Sequence, residues 1–151
     1  MAILEEKFMV LTSPLKLKWN GSIQGKGSIQ SLFLSNSIAI PTMFGGTGEG
    51  NSPIDLLVSS AASCYLLTLV GMLNAQKLDD IELILNTETD PESKKLTINH
   101  FLEVIIPNEF NDNQINIIKD IINKADRGCH IGNMLRKAEV EIYVKGLVKH
   151  K

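Results

Sequence analysis

The chain has 151 residues, 44% of them hydrophobic and 21% charged, which is the balance of a soluble globular protein with one core and not of a disordered one. A formal net charge of −2 and an aromatic content of 5% offer neither the basic surface nor the stacking platforms of a nucleic-acid binder. The opening segment carries Glu5 and Glu6 where a secretory leader would be basic. The longest apolar run, Leu56 to Leu73, is interrupted by Ser59, Ser60, Ser63, Thr68 and Gly71 and falls short of a bilayer span. A reducing cytoplasm is the expected compartment, with no membrane partner and no permanent disulfide.

The first element is a strand. Leu15 to Trp19 alternates apolar and charged residues, and Asn20-Gly21 and Gly25-Lys26-Gly27 are turn signals. Ser28 to Leu34 and Ser37 to Ile40 read as two more short strands, completing an antiparallel meander. Trp19 is expected to anchor the core. The Gly45–Asn51 loop fits neither a dinucleotide fingerprint nor a phosphate-binding Walker loop. After it, Ser52 is suited to cap a helix, Pro53 to occupy its first position and Asp55 to close a capping box. That helix is expected from Pro53 to about Gln76. Ile54, Leu57, Val58, Ala61, Ala62, Leu66, Leu69, Val70 and Leu73 cover more than one face, so it should be buried on several sides.

Ile81 to Thr89 and Lys95 to Ile106 read as a hairpin turning at Asp90-Pro91-Glu92-Ser93. His100 is expected to pair or to face solvent. Asp112 is expected to cap a helix over Gln114 to Ala125, with Ile117, Ile118, Ile121 and Ile122 inward and Arg127-Gly128 as the stop. A short helix from Ile131 to Ala138 and a strand from Glu139 to Gly146 follow, and Lys145 to Lys151 reads as a solvated tail. Strands and helices segregate along the chain, which gives an α+β class and not a doubly wound sheet.

Chemistry concentrates on two cysteines. Cys64 lies deep in the long apolar helix, where a small buried residue and a redox thiol are both consistent with the context. Cys129 lies between Gly128 and His130 just before the short helix, with Arg127 close by. A helix N-terminus and two flanking cations would favour its thiolate, although a half-buried loop cysteine fits equally. Two cysteines and histidines at positions 100, 130 and 150 do not make a zinc site, and no cofactor is indicated. Ser59, Ser60 and Ser63 lack the strand-to-helix elbow of a serine nucleophile.

The order of these segments resembles the OsmC/Ohr family of osmotically inducible and organic hydroperoxide resistance proteins, and its OsmC branch in particular. Lys18-Trp19-Asn20-Gly21 with Gly25-Lys26-Gly27 is similar to that family's W-x-G…G-x-G opening. Phe44-Gly45-Gly46, Gly48 to Asn51, Ser52-Pro53, Asp55-Leu56-Leu57 and Ala61-Ala62-Ser63-Cys64 resemble its central loop and helix. Lys124-Ala125 through Gly128-Cys129-His130-Ile131 resembles its second cysteine segment. The resemblance covers about Leu15 to Val144.

It implies a single OsmC-like domain over residues 1–151, with antiparallel sheets around a long buried central helix in an interlocked homodimer and active sites at the subunit interface. It further implies that Cys64 is the peroxidatic thiol and Cys129 the resolving one. An organic hydroperoxide would be the substrate and a dithiol the reductant, with Met43, Phe44 and Ile54 at the substrate site. Two departures stand out. The OsmC branch has an arginine where this chain has Met43, and a glutamate where it has Ile54. Without that cation a buried Cys64 is expected to react slowly, and joint loss of the pair leaves no lone charge behind. Glu49 and Asp55 are candidate charge substitutes, as are Lys16, Lys18 and Lys26, although an ammonium does not reproduce a bidentate guanidinium. Arg127 and Arg136 could also be recruited. Two other readings remain open: a non-catalytic protein of the same fold binding a small apolar ligand, and another thiol redox role centred on Cys129.

Overall fold

The computed structural model describes residues 14–151, so the acidic pair Glu5 and Glu6 lies outside the described residues. The chain forms two compact units, one ending at Leu56 and the other spanning Leu57–Lys151.

In the first unit β1 (Lys16–Asn20), β2 (Lys26–Gln30) and β3 (Ser35–Ile38) form an antiparallel meander in the order β1-β2-β3. The Gly25 turn admits no side chain, because a Cβ there would lie 2.2 Å from the Asn20 carbonyl oxygen. Trp19 pairs with Gly27 across the strands, and a Cβ on Gly27 would fall 2.5 Å from the indole. The W-x-G…G-x-G pattern therefore encodes an indole lying on a bare backbone. Trp19 is 38% exposed, so it is not the expected core anchor; its ring N–H donates to the Ser22 carbonyl at 3.1 Å. After a short 3₁₀ turn at Thr42–Phe44, Asn51 bridges to Ile38, and its side-chain amide donates to the Ser37 carbonyl.

The helix α1 (Pro53–Ala75) starts as its sequence dictates. The Ser52 amide donates to the Asp55 carboxylate at 2.7 Å, and the Asp55 amide donates to the Ser52 hydroxyl at 3.2 Å. These reciprocal bonds satisfy two of the helix's free donors. Its buried residues, Ala61, Tyr65, Leu69 and Leu73, recur every four positions and form one stripe. Burial on several sides is not met within one chain, since Leu67 is 68% exposed. The interruptions also do less than expected: over 18 residues α1 has a mean hydropathy of 1.9, long and apolar enough by composition to cross a bilayer. Its stripe is instead built into the core of a mixed α+β unit.

That unit contains β4 (Glu82–Thr89), β5 (Thr97–Ile106), α2 (Asp112–Gly128), α3 (His130–Lys137) and β6 (Glu141–His150). The hairpin β4–β5 is antiparallel, but β6 returns through the two helices to lie parallel to β5, so this sheet is mixed. Asn111, not Asp112, caps α2, in a reciprocal box with Gln114 at 2.9 Å in each direction. The helix continues through Arg127-Gly128. Residues 145–150, expected as a loose tail, complete β6 along the full length of β5. The core joins Tyr65, Leu69 and Leu73 of α1 to Leu102, Val104 and Ile106 of β5 and to Ile118, Ile121, Ile122 and Ala125 of α2. Burial of such side chains contributes about 1.5–3 kcal/mol each.

Candidate active site

Cys64 sits on α1 beside the buried stripe and is half-buried, and its carbonyl accepts a 2.7 Å bond from the Thr68 hydroxyl. It packs against the same core cluster that contains Cys129, near enough for the Cys64 thiol to disfavour ionisation of the Cys129 thiol. Residues distant in sequence are thus brought together by the docking of α2 on α1. Gly128 permits that approach: a Cβ there would lie 3.1 Å from the Met72 methyl.

Cys129 is the single residue between α2 and α3, closing one and capping the other. It is 2% exposed, and its Sγ accepts from the Gly132 amide at 3.4 Å. Its thiol is pushed up to about 11, chiefly by burial, with the neighbouring Cys64 and Asp126 adding to the rise and the Gly132 N–H, which favours the thiolate, opposing it. The expectation that a helix N-terminus and flanking cations favour the Cys129 thiolate is overturned here. Desolvation wins, and Arg127 and His130 are both exposed to solvent.

Arg136 is already engaged. Its Nη2 binds the Asp126 carboxylate at 2.7 Å and donates to the Ile142 carbonyl at 3.2 Å, while Nη1 donates to the Asp126 carbonyl at 3.4 Å and to Asn133 Oδ1 at 3.3 Å. Tyr65 escaped the sequence reading, and His100 entered it without a link to this core. Tyr65 adjoins Cys64, and its hydroxyl donates to the Ile122 carbonyl at 3.1 Å. Its ring stacks on His100 with centroids 5.4 Å apart and planes 7° from parallel. His100 is 2% exposed and bonded through Nδ1 to the hydroxyl of Thr87, its cross-strand partner, at 2.8 Å, so of the two expected roles it takes pairing and not solvent exposure. Burial lowers its basicity, and the Arg136 charge lowers it further against the opposing Asp126 carboxylate. The signal was present: His100 occupies the even-numbered face of β5 with Ile98, Leu102, Val104 and Ile106, all buried.

Met43, Phe44, Ile54 and Asp55 belong to the first unit. There they line an open, mostly apolar cavity of about 1040 Å³ together with Leu17, Trp19 and Ile38. Met43 and Phe44 are 80% and 64% exposed. Asp55 faces this cavity but spends its carboxylate on the cap of α1. Glu49 lines a smaller depression of about 290 Å³ beside Lys26, while Lys16 and Lys18 are exposed on β1.

Over residues 46–145 the chain matches the family described as OsmC-like protein. It is 29% identical over 140 residues to the uncharacterised protein YmaD of Bacillus subtilis, covering 89% of this chain and 93% of that one. Its fold is shared with an organic hydroperoxide resistance protein OsmC from Legionella pneumophila: TM-score 0.58, 21% identity, 91% of this chain and 98% of that one. It is shared as well with an organic hydroperoxide resistance protein from Elizabethkingia anophelis: TM-score 0.62, 16% identity, 93% of this chain and all of that one.

Proposed function

This chain belongs to the OsmC-like protein family, and within that family we propose that it is a thiol-dependent peroxidase reducing organic hydroperoxides. The observation that carries this reading is that Cys64 packs against the core cluster that contains Cys129. In the proposed reaction the Cys64 thiolate attacks the terminal oxygen of the hydroperoxide. The S–O bond forms as the O–O bond breaks, and the alcohol leaves with a proton. Cys129 then displaces water from the Cys64 sulfenic acid, forming the disulfide. A dithiol reduces that disulfide by two exchanges and is itself oxidised to a disulfide. A half-buried nucleophile beside a thiol that stays protonated until it attacks the sulfenic acid suits this order, because Cys129 does not compete for the oxidant.

The absent arginine and glutamate predict a slow first step, since neither Met43 nor Ile54 can stabilise a thiolate and Arg136 is bound to Asp126. The enzyme works as a single domain in a cytoplasmic homodimer, in which a second copy covers the exposed apolar residues of α1 and of the first unit. The apolar cavity at Met43, Phe44 and Ile54 supplies the substrate's hydrophobic site. That same cavity also favours a second reading, a family member that binds a small apolar ligand without turning it over. Turnover of cumene hydroperoxide with dihydrolipoamide separates the two. The peroxidase reading expects activity in the wild type that disappears in Cys64→Ser. A folded, reduced wild type inert toward several organic hydroperoxides would move the assignment to ligand binding.

A further inference from the structure

Cys129 is buried in the core cluster, its sulfur accepts from the Gly132 amide, and it is the one residue that joins α2 to α3. Its place relative to Cys64 therefore depends on the angle at which α3 leaves α2. Ile131 and Leu135 pack α3 against Ala61, Ile98 and Ile142, and one guanidinium straps it to α2. Arg136, in the last turn of α3, reaches back to the last turn of α2, where it holds both the side chain and the carbonyl of Asp126, and sideways to the Ile142 carbonyl of β6. Asn133 adds a second strap over the hinge. Its amide donates to the Arg127 carbonyl at 2.8 Å while its Oδ1 accepts from Arg136.

We propose that Arg136, with Asp126 and Asn133, is a positioning clamp that holds Cys129 against Cys64 for disulfide closure. This rests on reading the two cysteines as a redox pair and gives Arg136 a different task from activating a thiolate. Three points support it. The guanidinium is committed to four acceptors on three elements, a fork that a lysine cannot match. The Arg136 bonds go to Asp126, Asn133 and Ile142, while the Cys129 sulfur is bonded by the Gly132 amide, so the arginine acts on the thiol through the fold. A hinge left unstrapped would let Cys129 sample positions away from Cys64, and closure of a disulfide falls with the fraction of time the thiols meet.

The test is the reduction potential of the Cys64–Cys129 pair in the full-length protein. It is poised against mixtures of reduced and oxidised dithiothreitol and read by acid-quenched alkylation and mass. No hydroperoxide is needed. Arg136→Met is expected to lower the effective concentration of the pair at least tenfold, about 30 mV toward easier reduction, with Arg136→Lys recovering part of the loss. A purely structural role would lower the melting temperature of both redox forms equally and leave the potential in place. An unchanged potential in folded Arg136→Met overturns the proposal. If that variant does not fold, Asn133→Ala decides: a two- to threefold drop supports the clamp and no change overturns it. A wild-type pair that closes in dithiothreitol but never reacts with hydroperoxide removes the peroxidase reading and leaves the clamp standing. A pair that fails to close at all removes both.

Discussion

The two units of this chain bury their apolar residues very differently. Among the described residues of the first unit only Ile29 and Ala39 are buried apolar side chains, while Leu17, Leu32, Phe33, Met43, Phe44 and Ile54 are exposed. The second unit gathers a continuous core from α1, the mixed sheet and α2. The second unit thus has a core of its own yet leaves Leu67 and Val70 of α1 exposed, while the first has little core and presents apolar surface of a kind that marks an interface or a ligand site. The thiols lie in the well-packed unit, where their geometry is fixed. The apolar cavity lies in the sparse one, where substrate or a second copy would supply the missing burial.

Mutations can break that contrast. Leu69, wholly buried on α1, should cost about 2–5 kcal/mol as Leu69→Ala, measured by chemical denaturation. A cost of a few tenths would mean that the second unit is not the stable core. Leu67→Glu on the exposed side of the same helix should barely change the stability of a monomer, yet it should convert the proposed dimer to monomers in sedimentation experiments. Phe44→Ala should change stability by less than about 0.5 kcal/mol, while KM for cumene hydroperoxide rises several-fold and kcat changes less. Gly132→Ala sharpens the picture at the hinge. Its new Cβ would sit 3.2 Å from Cys129 Sγ and should slow disulfide closure several-fold with a small loss of melting temperature.

The smallest effect is on pH. The Cys129 thiol is raised in the fold, so the folded state resists its ionisation. The associated stability is fully present below pH 9 and is lost as pH rises toward about 11. Replacement by serine should flatten stability over that window.

Much of this architecture was legible because local chemistry and tertiary packing agree. Ser52-Pro53-Asp55 announces the start of α1, and the alternation of β4 and β5 announces the hairpin. The misreadings share a physical cause, namely residues whose role is set by a distant neighbour. Gly146 looked like a strand end, but it is a point of close approach in mid-strand, where a Cβ would meet Ile122 Cδ1 at 2.8 Å. Trp19 looked like a core residue because its resting place, the bare face of Gly27, is invisible without the strand register. His100 pairs with Thr87 as one of its two expected roles had it, and its alternation on the core face was the signal against the other. Of the candidate site, the two cysteines were nominated from segment order, but their placement at one core cluster was not legible, since it depends on the docking of α2 against α1. The competition between burial and the helix N-terminus at Cys129 was likewise invisible, because sequence does not report desolvation.

The central claim is that Cys64 and Cys129 form one redox pair driven by an organic hydroperoxide. Its most direct test is to treat the reduced protein with one equivalent of cumene hydroperoxide, quench with acid and alkylating agent, and map the peptides by mass. The account predicts a Cys64–Cys129 disulfide as the main product, and in Cys129→Ser a trapped sulfenic acid on Cys64. Two alkylated cysteines in the treated, folded wild type would contradict it.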